Sequence, residues 1–96
     1  MRRDDVLRVL GEHKDEFARF GVKALSIFGS VARDEAREDS DLDVLVEFDG
    51  PTKFQPYMDL KFFLEDILTC KVDVATPQML RPELRDAIER DLRRVA

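Results

Sequence analysis

Cysteine is nearly absent from this chain. Cys70 stands alone, so no intramolecular disulfide can form. Its neighbours Ile67 and Leu68 point to a buried, unreactive thiol. No run of residues is long and apolar enough to cross a bilayer, which argues against a membrane role. The first residues, Met1-Arg2-Arg3-Asp4-Asp5, lack the apolar stretch of a secretory leader, so a cytoplasmic location is expected. A basic excess is missing too: 16 Lys and Arg against 21 Asp and Glu leave a formal charge of −5. The basic residues are spread out, and the terminal run Arg90-Asp91-Leu92-Arg93-Arg94 is interrupted by an acid. This balance argues against nucleic acid as the main partner. There is no internal repeat and no low-complexity segment.

What is present suits a small globular protein. A chain of 96 residues reads as one domain, residues 1–96, and a 44% hydrophobic share is enough to build a core. Charged residues reach 39%, above the usual quarter, which suits a surface laced with ion pairs of the kind found at high temperature.

Hydrophobic periodicity sets the expected elements. Asp4 to about Phe20 reads as a helix, with Val6, Leu10, His13, Phe17 and Phe20 on one stripe, Asp4 as its N-cap and Gly21 as its stop. Val22–Phe28 reads as a strand ending at Gly29-Ser30. Val31 to about Ala36 reads as a short helix, and Glu35 to Ser40 as a polar loop. Leu42–Phe48 is the clearest strand, its near-continuous apolar run implying cover on both faces. Gly50-Pro51 marks a turn. A helix is expected over Phe54–Thr69, with Tyr57, Leu60, Leu64, Ile67 and Leu68 inward. Lys71–Ala75 reads as a short strand. Pro82 opens a last helix from about Arg81 to Val95, with Leu84, Ala87, Ile88, Leu92 and Val95 as its apolar face. The link between the first two strands is too short for an ordinary parallel crossover with a full helix. The expected fold is therefore α+β, a small mixed sheet flanked by helices, in the order helix-strand-strand-helix-strand-helix.

Two segments concentrate the chemistry: Ser26-Ile-Phe-Gly-Ser-Val-Ala-Arg33 and Ser40-Asp-Leu-Asp-Val44. Gly29 lets the backbone approach a ligand closely where a strand gives way to a helix. Free N–H groups at a helix start, with the Ser30 hydroxyl, suit a phosphate. Asp41 and Asp43, two residues apart, share one face of a strand. At ~5 Å and an effective dielectric of about 20 they repel by roughly 3 kcal/mol. A proton, a basic side chain or a metal ion must offset that, and two carboxylates suit Mg²⁺. Asp73, between Val72 and Val74, points away from both and can join the pair if its strand lies beside Leu42–Phe48. Two ions ~3.5–4 Å apart would then clamp an attacking and a leaving oxygen.

Gly29-Ser30, then ten residues, then Asp41-Leu42-Asp43 resembles the signature of the DNA polymerase beta-like nucleotidyltransferases. The short length and Gly-Ser-Val-Ala-Arg resemble the minimal nucleotidyltransferases among them, which pair with HEPN-domain partners as toxin–antitoxin systems. The resemblance runs from Val22 to the final helix. It implies that Gly29 and Ser30 hold the triphosphate of ATP. It implies that Asp41 and Asp43 coordinate two Mg²⁺ ions, and that Asp73 binds one of them and activates the attacking hydroxyl. It also implies transfer of AMP to a tyrosine of the HEPN-domain toxin. Arg33 matches the arginine of the motif, where it would contact phosphate or the partner. The glycine that many minimal members carry after that arginine is Asp34 here, and the extra domain by which larger members select base and acceptor is not expected.

Plainer roles stand beside these. Asp41 and Asp43 could pair with Arg33 or Lys71, and Asp73 could simply face solvent. Ser30 could cap the short helix. Arg33 could pair near Asp34 or with Glu38. His13 reads as packing or partner-facing. Phe54, Tyr57, Phe62 and Phe63 read as core, with Tyr57 alternatively stacking on a base. At the level of the whole chain, the rival to an enzyme is a binding module that masks its partner by occlusion. A homo-oligomer stays open.

Overall fold

The computed structural model describes residues 1–96. Helix α1 spans Arg3–Glu12 and is followed by a 3₁₀ stretch over Lys14–Phe20. The single helix expected here is thus two. His13 leaves the α region at φ −106°, ψ 13°. The tighter winding that follows brings side chains three apart onto one side. Phe17 and Phe20 use it to reach the Phe63 ring, at centroid distances of 6.3 and 5.1 Å, and the His13 ring meets Phe63 edge-on at 5.7 Å. Asp4 sits in the first turn rather than at the cap. Gly21 ends the stretch as expected, at φ 77°.

Strand β1 (Val22–Phe28) leads into α2, a single turn over Gly29–Ala32, which is earlier and shorter than the pattern suggests. Strand β2 (Leu42–Phe48) returns antiparallel to β1, then α3 (Phe54–Leu68) crosses over to β3 (Val72–Ala75), which lies parallel to β2. A 3₁₀ turn (Pro77–Met79) and α4 (Pro82–Asp91) follow.

The last helix stops short of the expected Val95. Leu92 turns out of it at φ −58°, ψ 132°. Arg93–Arg94 form β4 on the outer edge of β1, and the Val95 N–H donates to the Leu25 carbonyl at 2.8 Å. The sheet is mixed and four-stranded in the order β3-β2-β1-β4. The α+β class with helices flanking a mixed sheet stands, with one strand more than the pattern showed.

The strict alternation of β2 decides the layers. Leu42, Val44 and Val46 are fully buried against Leu10, Leu60 and Leu64, while Asp43, Leu45 and Glu47 face the other way. That second face is only partly covered. Helix α4 buries none of its residues, and Leu84 is 49% exposed, so the apolar face expected for it is not a core face. Phe54 and Phe62, read as core, are 77% and 57% exposed. No helix is long and apolar enough to cross a membrane.

Candidate active site

Asp43 and Asp73 are direct register partners across the parallel β2–β3 pair. Their neighbours Leu42, Val44, Val72 and Val74 are all buried on the core side. Register partners share a face, so both carboxylates emerge from the opposite one. Asp41, two residues upstream and just outside β2, is exposed, and its charge reaches Asp43.

Gly29 closes the arrangement. Phe28 pairs with Asp43 in the β1–β2 ladder, which carries the next residue onto the Asp43 side chain. Gly29 has φ +74°, and a Cβ there would overlap Asp43 Oδ2 and sit 3.3 Å from Cγ. Glycine is therefore required both by the left-handed backbone and by the carboxylate packed against it.

Burial pushes the Asp43 carboxyl above its ordinary range, the charges of Asp73 and then Asp41 add to the effect, and Arg33 works against it. The three acids are thus electrically coupled, and their mutual repulsion is the kind of energy a cation relieves. Their donors are hard oxygens, which suit Mg²⁺. The protein alone does not enclose an ion: no three His, Cys, Asp or Glu side chains come close enough together to hold one. Mg²⁺ is rarely caged by protein alone, however. It is held through one or two carboxylates with waters and substrate phosphates. The residues fit an ion that shares its coordination with a nucleotide.

The remaining motif residues fall less simply. Ser30 is half-buried inside α2, whose cap position is Phe28, so the capping role does not apply. The Ser30 carbonyl accepts the Glu35 N–H at 2.8 Å, which folds the start of the loop. Arg33 donates to Asp91 at 2.7 Å and to Glu35 at 3.2 Å, tying α2 to the end of α4 rather than reaching Glu38. Both partners raise the Arg33 pKa. Asp34 adopts φ 59°, the conformation glycine would favour. Its carboxylate accepts the Arg3 N–H at 3.0 Å and so caps α1 from a distance. The Tyr57 hydroxyl donates to the Val74 carbonyl, and the residue packs against the core as expected. Cys70 is half-buried, and burial raises its thiol pKa, in keeping with an inert group.

Asp91 was not legible as the partner of Arg33 in the sequence, because 58 residues separate the two. The largest concavity, about 690 Å³, lies at the far end of β2 between Gly50–Thr52 and Thr76–Met79. Glu47 is its only acid, so it lacks the paired carboxylates of a metal site. The acid row is an open surface, and function is argued from its chemistry rather than from cavity size.

Comparison with known proteins agrees with this fold. The family model described as the nucleotidyltransferase domain matches residues 10–95. Protein adenylyltransferase MntA of Thermococcus cleftensis is 33% identical over 90 residues, covering 93% of this chain and 91% of the relative. A solved structure assigned to the minimal nucleotidyltransferases superposes with a TM-score of 0.83 at 36% identity, covering 97% of this chain and 95% of the other. The MNT antitoxin bound to a tri-AMPylated Shewanella oneidensis HEPN toxin shares the fold, with a TM-score of 0.65 at 14% identity over 94% of this chain and 71% of that one. With its sheet, its Gly29–Asp43 contact and its sequence matching over nearly its whole length, the chain belongs to the nucleotidyltransferase domain family, among the minimal nucleotidyltransferases.

Proposed function

We propose that this chain works as one nucleotidyltransferase domain that moves AMP from ATP to a tyrosine hydroxyl of a HEPN-domain partner toxin, and so acts as its antitoxin. The observation that carries the reading is the register of Asp43 with Asp73, beside the Gly29 backbone against which the Asp43 carboxylate can pack only because glycine has no side chain. Further support comes from the T. cleftensis relative, which is named a protein adenylyltransferase.

In this scheme Gly29 and Ser30 hold the triphosphate, and Arg33, whose charge already reaches Asp43, meets its phosphates. Asp41 and Asp43 would hold two Mg²⁺ ions, with Asp73 shared to one of them. When bound, the ions neutralise the triphosphate and polarise the reacting oxygens. Asp73 orients the tyrosine hydroxyl and takes up its proton. A bond forms between the tyrosine oxygen and the α-phosphorus. The bond from that phosphorus to the bridging oxygen breaks, and pyrophosphate leaves with the electron pair. Positioning and charge stabilisation supply the rate, with no covalent enzyme intermediate.

The test is incubation of the chain with its candidate toxin, ATP labelled at the α-phosphate, and Mg²⁺. Label is expected on toxin tyrosine and is expected to vanish with EDTA. Transfer that persists in Asp41→Asn or Asp43→Asn would remove the role given to these acids.

One observation favours a second reading, in which the chain neutralises its partner by occlusion. Phe54 and Phe62 stand on one side of α3 and are mostly exposed. Full neutralisation by Asp43→Asn, with no label transfer, would select that reading.

A further inference from the structure

Strand β3 is the edge of the sheet and carries Asp73 at its centre. On an edge strand, every second residue turns its N–H and carbonyl away from the sheet, where they want partners. Lys71 faces inward: its carbonyl accepts the Leu42 N–H at 3.0 Å. Val72 and Val74 therefore present the outward groups, and no further strand lies there to receive them.

Three side chains of α3 take that strand's place. Glu65 accepts the Val72 N–H at 3.1 Å. Lys61 donates to the Val72 carbonyl at 2.6 Å and to Glu65 at 3.2 Å. The Tyr57 hydroxyl donates to the Val74 carbonyl. The three residues lie four apart on one face of the helix, so a single helical stripe clasps both residues that flank Asp73. The backbone bond from Val72 is the leading reason that the Glu65 carboxyl sits below its ordinary range, with Lys61 second. Lys61 and Glu65 side chains are 27% and 26% exposed, which shelters the clasp from water.

The backbone groups of Asp73 itself face β2, where Asp43 is its register partner. Bonds on Val72 and Val74 tie β3 to α3 and oppose its sliding or peeling away from β2. Such a movement would also carry the Asp73 carboxylate away from Asp43. A four-residue edge strand has few ladder bonds of its own to fix it.

We propose that Tyr57, Lys61 and Glu65 are positioning residues, which hold Asp73 at its working place opposite Asp43 by clasping the outer edge of β3. The proposal rests on the nucleotidyltransferase reading above for its effect on rate, but not for its effect on the strand.

The experiment has two arms. In the first, amide hydrogen exchange is followed in the full chain for Lys61→Ala/Glu65→Ala and for Tyr57→Phe. Exchange at Val72 and its β3 neighbours is expected to rise by about tenfold or more in the double variant, with α1 and β1 unchanged. In the second, kcat and KM for label transfer are measured where each variant is fully folded by circular dichroism. The double variant is expected to lose about ten- to a hundredfold in kcat, with KM for ATP within about twofold. Lys61→Arg is expected to recover most of it. In an Asp73→Asn background the same double substitution is expected to cost nothing further, because the clasp acts through Asp73. Equal losses in both backgrounds would mean a general structural role and overturn the proposal. Unchanged exchange in β3 would overturn it as well. A wild-type chain that transfers no nucleotide counts against the transferase reading, and the exchange arm alone then decides the clasp.

Discussion

The Asp43 carboxylate lies directly against the α-carbon of Gly29, in the space a side chain would need. The turn after β1 and the acid row on β2 are therefore one structural unit. Gly29→Ala must both push Asp43 aside and hold alanine at φ +74°. The backbone conformation alone costs about 1 kcal/mol or more. Urea unfolding is expected to show at least that loss. Nucleotide transfer is expected to fall further than the stability loss explains, because Asp43 no longer sits where the ladder puts it.

Asp43 itself is unfavourable to the unliganded fold. Its pKa is raised above the ordinary 3.8 by burial, then by Asp73 and Asp41. A raised acid stabilises the fold fully below its unfolded value, and that contribution is lost as pH rises through the folded value. At neutral pH the ionised group thus works against folding. Asp43→Asn is expected to raise Tm without metal while abolishing transfer. Mg²⁺ with ATP should raise the wild-type Tm and leave the variant nearly unmoved, as linkage requires. A lower Tm in the metal-free variant would contradict this account.

Asp34 carries the opposite sign. Its carboxyl is held below 3.8 chiefly by the Arg3 N–H. Such a group stabilises the fold above its unfolded value, and the contribution disappears as pH falls through the folded value. Asp34→Ala is expected to melt earlier than wild type at pH 7 and to converge with it in strong acid. Asp34→Gly should fall between the two at pH 7, since it loses the cap but relieves φ 59°. Thermal melts across the acid range read all three curves.

Two adjacent phenylalanines separate packing from surface. Phe63 meets Phe17, Phe20 and His13, whereas Phe62 is 57% exposed. Phe63→Ala is expected to cost about 2–3 kcal/mol in urea unfolding, a little less than a fully buried ring. Phe62→Ser is expected to stay within about 0.5 kcal/mol of wild type. If Phe62→Ser instead weakens capture of the toxin in a pull-down, the exposed side of α3 is part of the partner surface.

By itself, the sequence determined the elements whose signal is local. Alternation announced β2 and put Asp43 on the face opposite the core, helical spacing announced α3, and Gly21 marked a stop. These follow from the backbone's own periods and need no distant partner. Tertiary structure decided the rest. The first helix broke at His13 because Phe17 and Phe20 both reach for Phe63 across the core. The end of the last helix became β4 because the open edge of β1 offers backbone bonds to Arg93–Ala96, which no local propensity records. Asp73 acquires its meaning only from the parallel register beside Asp43, and Arg33 its partner from a helix 58 residues away. The edge clasp on β3 likewise exists only once α3 has folded over it. Periodicity tells which face a residue takes on its own element. Which residue stands opposite is settled by how the elements pack.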